Sequence, residues 1–157
     1  MKIAALAPPA PPPETFVFLG PNLPNTARIA RDWLVAVLRG TGHPRLAEAA
    51  RICASEVVTN VHTHARSTPQ IIVEARVAEQ WVLVVVYDNR PHPVTEVDLG
   101  PASPDDEHGR GLALVDSFAD SWGVSTPRRP IPVYGGPAPM EKAVWFRLSD
   151  DARGEAA

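Results

Sequence analysis

The chain has 157 residues, of which 45% are apolar and 21% charged, with a net charge of -3. That length supports one domain with a real core, and the balance excludes wholesale disorder. The 15 Lys and Arg residues are scattered and give no basic footprint for nucleic acid, and the longest apolar run, Trp81 to Tyr87, is far too short to cross a bilayer. A lone cysteine, Cys53, admits no internal disulfide, and its reduced state fits a cytoplasmic protein.

Taken in order, residues 1–13 are a proline-rich leader (Pro8, Pro9, Pro11, Pro12, Pro13) suited to an extended tail. Thr15 to Leu19 is rich in β-formers and stops at Gly20-Pro21, which predicts a first strand. Asn25 offers a helix cap, and Ala27, Ile29, Ala30, Trp33, Leu34, Val37 and Leu38 follow at helical spacing until Gly40. A central helix is expected from about Arg45 to Ala65. Ile71 to Val77 alternates, Ala78-Glu79-Gln80 makes a bend, and Trp81 to Tyr87 is almost wholly apolar. Together they predict a hairpin whose second strand is central in the sheet.

Arg90 to His108 is rich in Pro, Asp and Glu without periodicity, and a loop of that length in a compact domain reads as a lid or binding segment. Gly109-Arg110-Gly111 then opens a helix whose apolar side is Leu112, Ala113, Leu114, Val115, Phe118 and Ala119. Trp122 to Ser125 begins another strand, 127–141 is a second Pro- and Gly-rich insertion, and Lys142 to Leu148 is the closing strand before a polar, frayed tail. The chain shows no repeat and no second domain. The expected fold is α+β: a two-layer α/β sandwich over residues 14–149, with a mixed, mostly antiparallel sheet carrying three helices on one face.

The chemistry concentrates on the central helix. Glu56, Asn60 and His64 recur every four residues, a drift of about 40° per step, and form one polar line. Leu46, Ala50, Cys53, Val57 and Val61 form an apolar line beside it, while Glu48, Arg51, Ser55, Thr59 and His62 make the solvated face. A carboxylate, a carboxamide and an imidazole on the core side need partners, either within the core or in a ligand site. Two further features follow in order: Asp88, directly after a buried strand, and the Gly-Arg-Gly at a helix start, where a backbone can approach a phosphate closely. Each alone also fits a plain turn. Lys142 alone reads as a solvated strand-edge residue. A metal hydrolase is disfavoured, because His62 and His64 diverge by roughly 200° around a helix.

The ordered set resembles the histidine-kinase-like (GHKL, Bergerat-fold) ATP-binding domains, and most of all their anti-sigma-factor serine/threonine kinase group. Glu56-Val57-Val58-Thr59-Asn60 with His64-Ala65 is similar to the group's N-box, Asp88 to the aspartate of the first G-box, and Gly109-Arg110-Gly111-Leu112-Ala113-Leu114-Val115 to the second. Ala119-Asp120-Ser121-Trp122-Gly123-Val124 and Val144-Trp145-Phe146 extend the likeness, which spans about Thr15 to Leu148.

The resemblance implies ATP and Mg2+ as cofactors. Asn60 would hold the metal through its carbonyl oxygen, and Asp88 would accept from the adenine amino group. Gly109, Arg110, Gly111 and Leu112 would cradle the phosphates, with His64 flanking them, and Glu56 would be the catalytic base toward a protein serine hydroxyl. A core or capping role for His64 stays equally open. Arg90 stands where the first G-box carries glycine, which opposes close backbone approach to the base but could reach a phosphate. Lys142 follows Glu141 where the group often has Gly-Lys or Gly-Thr.

The implied partners are a sigma factor and an anti-sigma antagonist, with no direct contact to nucleic acid or membrane. Members of the group often dimerise, though no stripe in this sequence marks a homodimer interface. The alternative is a non-catalytic ATP-binding adaptor that controls a partner by nucleotide-dependent binding. A sensor histidine kinase would need a phosphoacceptor helical hairpin ahead of the first strand, where this sequence offers only 14 residues.

Overall fold

A computed structural model of the protein describes residues 8–89, 107–127, 140 and 142–151. The lid expected over Arg90 to His108, Arg90 included, lies outside the described residues apart from its last two positions. So does most of the insertion expected over 127–141.

The elements run β1 (Glu14–Pro21), α1 (Thr26–Gly40), a short 3-10 turn (Pro44–Leu46), α2 (Ala47–His64), β2 (Gln70–Val77), β3 (Trp81–Asp88), α3 (Glu107–Phe118), β4 (Ser121–Ser125) and β5 (Lys142–Ser149). The strands form one five-stranded sheet in the order β1-β2-β3-β5-β4. Every pairing among the described residues is antiparallel, simpler than the mixed sheet expected. β5 inserts between β3 and β4, and β3 is central as its apolar run implies.

Strand alternation divides the sheet into two faces. Ile71, Val73, Ala75 and Val77 of β2, Val82, Val84 and Val86 of β3, and Phe146 and Leu148 of β5 share one buried cluster. Into it pack Ala30, Leu34 and Leu38 of α1, Ala50, Cys53, Ala54, Val57, Val58 and Val61 of α2, and Val115 of α3. All three helices therefore cover one face, and each fully buried Leu, Val or Phe contributes about 1.5–3 kcal/mol. The expected apolar line of α2 is buried along its length, and Ala54 and Val58 widen it. On α1 the pattern holds less well, since Ile29 is 47% exposed. Trp33 instead leans back onto β1, with its ring 5.6 Å from that of Phe18.

Local chemistry sets the helix ends. Asn25 makes no side-chain cap bond. The buried Thr26 replaces it, donating to the Pro21 carbonyl and accepting from the Leu23 N–H at 3.2 Å. α1 closes with Thr41, whose Oγ1 donates to the Val37 carbonyl at 2.7 Å. Gly42 then turns the chain at φ 83°, a left-handed conformation that favours glycine. Helix α3 begins at Glu107, so Gly109-Arg110-Gly111 lies within its first turns rather than ahead of them.

Two polar clusters lock opposite ends of the sandwich. At the β2–β3 hairpin end, His43 is 1% exposed, with Nδ1 2.9 Å from Asp150 Oδ2 and Nε2 2.9 Å from the Ala78 carbonyl. Asp150, placed in the polar tail by sequence, is thus part of the core, and its N–H donates to the Gln80 carbonyl at 2.8 Å. At the other end Asn22 gathers the exit of α2: Nδ2 donates to the carbonyls of Ala65 (3.2 Å) and Thr68 (2.8 Å), and His62 Nδ1 lies 3.0 Å from Oδ1. His62 is accordingly half-buried and partnered, not a member of a solvated face.

Among the described residues no helix packs on the second sheet face. Tyr87 donates to Glu74 Oε2 at 3.3 Å, Arg76 pairs with Glu74, and the Arg147 guanidinium sits 5.1 Å from the Trp81 ring centre. With Leu83, Val85 and Trp145 these residues line a concavity of about 670 Å3. Burial pushes the Tyr87 hydroxyl upward from its ordinary range, with Glu74 adding to it. The Glu74 hydrogen bond likewise raises Arg76.

Candidate functional site

Helix α2 starts near the hairpin end and finishes at the end held by Asn22, so its C-terminal half carries Glu56, Asn60 and His64 toward that second end. All three are half-buried, flanking the fully buried Val57 and Val61. The polar line therefore sits at the rim of the core, where a side chain can be held by packing and still meet a ligand. His64 is the last residue of α2, two residues beyond His62 and its bond to Asn22.

Asp88 closes β3 and is 1% exposed, which removes the reading of a solvated turn aspartate. Alternation places it on the helix-covered face with Val82, Val84 and Val86. Lys142, its ladder partner at the start of β5, brings Nζ to 3.3 Å from Asp88 Oδ2. The Lys142 side chain is only 19% exposed, so the expectation of a solvated lysine is corrected: it is a half-buried partner of the site carboxylate. The next residue, Asn89, is bound by the turn that follows α2. Thr68 Oγ1 donates to Asn89 Oδ1 at 2.6 Å, and Asn89 Nδ2 donates to the Ser67 carbonyl at 3.3 Å. The end of β3 and the exit of α2 are thereby one polar unit.

Helix α3 completes the arrangement. Its exit is tied at the hairpin end, where the Asp120 N–H donates to the Arg147 carbonyl at 2.9 Å and the Asp120 carboxylate accepts from the Ser149 N–H. It packs directly against α2. Its first turns, with Gly109, Arg110 and Gly111, therefore point away from the hairpin end, toward the end that holds Asp88 and His64. Leu112 is half-buried on the same helix. A helix N-terminus exposes unpaired N–H groups and the positive end of the dipole, which suit an anion.

The structure thus brings the polar line of α2, the Asp88–Lys142 pair and the glycine-bearing start of α3 to one end of the molecule, and Arg90 lies outside the described residues. Sequence reasoning set Lys142 aside as a solvated strand-edge residue, because no local pattern names its ladder partner, and it missed Asn22 and Thr68, which lie between the periodic elements.

A two-layer α/β domain with a half-buried line of carboxylate, carboxamide and imidazole on one helix, a buried strand-end carboxylate and a glycine-bearing helix start has the donors and acceptors that suit a nucleotide. Residues 20–130 match the histidine kinase-like ATPase domain, and the chain belongs to that family, whose domains bind ATP. No curated protein matches the chain. Among the described residues, no helix is long and apolar enough to cross a membrane.

Proposed function

We propose that the protein is an ATP- and Mg2+-dependent serine/threonine kinase of the anti-sigma-factor type, which phosphorylates an anti-sigma antagonist and binds a sigma factor. The observation that carries the reading is the half-buried pair Glu56 and Asn60, one helical turn apart on α2, at the end of the molecule that also holds Asp88.

The donor set fits the nucleotide. Asn60 offers a carboxamide oxygen, the hard donor that Mg2+ takes beside water and phosphate oxygens. Asp88 is a buried carboxylate able to accept from an adenine amino group. The N–H groups at the start of α3, where Gly109, Arg110 and Gly111 lie, favour the phosphates. Mg2+, when bound, supplies charge neutralisation between the phosphates.

Glu56 then serves as general base. It takes the hydroxyl proton of the protein serine as the serine oxygen bonds to the γ-phosphorus and the bond to the β-phosphate oxygen breaks, releasing ADP. His64, at the exit of α2, would flank the phosphates. Leu112 closes the helix side.

The test uses ATP labelled at the γ-phosphate, incubated with the full chain and the proteins it retains from its native cell. Label should move to a serine of a retained protein, and Glu56→Ala should bind Mg-ATP normally while transferring no label. Normal binding with no transfer by the wild type would instead select the adaptor that uses nucleotide only to set partner binding.

A further inference from the structure

We propose that Lys142 broadens base selectivity at this site, so that the protein takes 6-oxopurine nucleoside triphosphates such as GTP alongside ATP. The inference rests on the reading of Asp88 as the carboxylate that meets the base.

Asp88 and Lys142 face each other across the β3–β5 ladder, on the helix-covered side of the sheet, with Nζ 3.3 Å from Oδ2. Both are shielded from solvent, the carboxylate at 1% and the lysine side chain at 19% exposure. The site therefore presents an acceptor and a donor side by side, where a lone carboxylate would present acceptors only. An ionised carboxylate offers about four lone-pair sites and an ammonium three N–H donors, so their mutual contact does not by itself exhaust either group.

The two purines differ in the edge they bring. Adenine carries an amino donor at N6 beside the acceptor N1, and guanine carries the acceptor O6 beside the donor N1–H. A carboxylate alone welcomes the adenine amino group and repels the lone pairs of O6. An adjacent ammonium removes that repulsion by donating to O6 while the carboxylate accepts from N1–H. With adenine the carboxylate accepts from N6 without calling on the ammonium, so the lysine matters most for guanine. The lysine stem is flexible and its three donors rotate, so it follows either base, which a planar and rigid guanidinium does less freely.

The experiment is a calorimetric titration of the full chain with Mg-ATP and, separately, Mg-GTP, for wild type, Lys142→Met and Lys142→Arg. Wild type should bind both nucleotides with affinities within about tenfold, and Lys142→Met should lower the affinity for GTP relative to that for ATP by about tenfold or more, the scale of one well-placed polar contact to a base. Lys142→Arg, which keeps a donor, should retain measurable GTP binding. The readout is a ratio within each protein, so partial unfolding of a variant lowers both affinities and leaves it intact. Wild type that rejects GTP, or a Lys142→Met ratio equal to wild type, overturns the proposal while leaving the nucleotide site standing. Wild type that binds neither nucleotide overturns the reading of Asp88 itself, and this inference with it.

Discussion

His43 Nδ1 lies 2.9 Å from Asp150 Oδ2, with both residues buried and 107 positions apart in the chain. The pair joins the loop after α1 to the end of β5, and through Nε2 to the β2–β3 hairpin at Ala78. Removing one partner strands a buried polar group, so His43→Ala or Asp150→Ala should cost about 3–5 kcal/mol. Asp150→Asn, which keeps an acceptor oxygen, should cost less than Asp150→Ala. Urea denaturation checks both, and equal losses for Asn and Ala would show that the hydrogen bond itself is not what matters.

Asn22 holds the exit of α2 through the Ala65 and Thr68 carbonyls and His62. Asn22→Ala should lower stability by about 1–3 kcal/mol, the scale of buried polar groups left unmade. It should also weaken Mg-ATP binding, because the helix end that it holds carries His64 and, one turn earlier, Asn60. Denaturant midpoints and nucleotide affinity should fall together; a stability loss with unchanged affinity would separate this turn from the site.

Much of this fold was legible because it rests on local periodicity. The 3.6-residue line through Ala50, Cys53, Val57 and Val61 and the period of two in Ile71, Val73, Ala75 and Val77 both describe which side faces the core, and both are buried as expected. What stayed hidden depends on register between distant strands. The insertion of β5 between β3 and β4 sets Lys142 opposite Asp88, and no spacing along the chain encodes that choice. Asp150 was misread for a related reason: a polar residue after the last strand looks like tail until its partner, His43, is known. Glu56 and Asn60 were legible as one line, whereas the pins that fix that line, Asn22 and Thr68, were not.

Gly123 of β4 faces Trp145 of β5 on the face opposite the three described helices, and a Cβ there would come within 2.8 Å of the indole. The ring covers the glycine, a device that protects weak edge strands. Gly123→Val should displace the indole and cost about 1–3 kcal/mol by overpacking. Tryptophan emission should shift in the folded variant, and an unchanged spectrum and midpoint would show that the ring is free to move aside.

Burial pushes the Cys53 thiol up from 9.0 to about 11, with the nearby Glu56 carboxylate adding to the effect against a backbone hydrogen bond. A raised folded value means that the stability held by the neutral thiol is complete below the unfolded thiol's range and is lost as pH climbs through the folded value. Wild-type stability should therefore decline between pH 9 and about 11 by on the order of 2 kcal/mol more than that of Cys53→Ala. Denaturation at pH 8, 9.5 and 11 tests the difference. At pH 8 the native thiol should resist alkylation until the protein unfolds.

On the proposed function, α2 presents Asn60 to a magnesium-bound nucleotide at the end of the sandwich where Asp88 lies. Calorimetric titration of Mg-ATP into wild type and Asn60→Ala measures it most directly. Wild type should bind in a Mg2+-dependent manner, and Asn60→Ala should lose at least about tenfold in affinity, or 1.4 kcal/mol, with its fold intact. Asn60→Ala binding Mg-ATP as tightly as wild type would contradict the account.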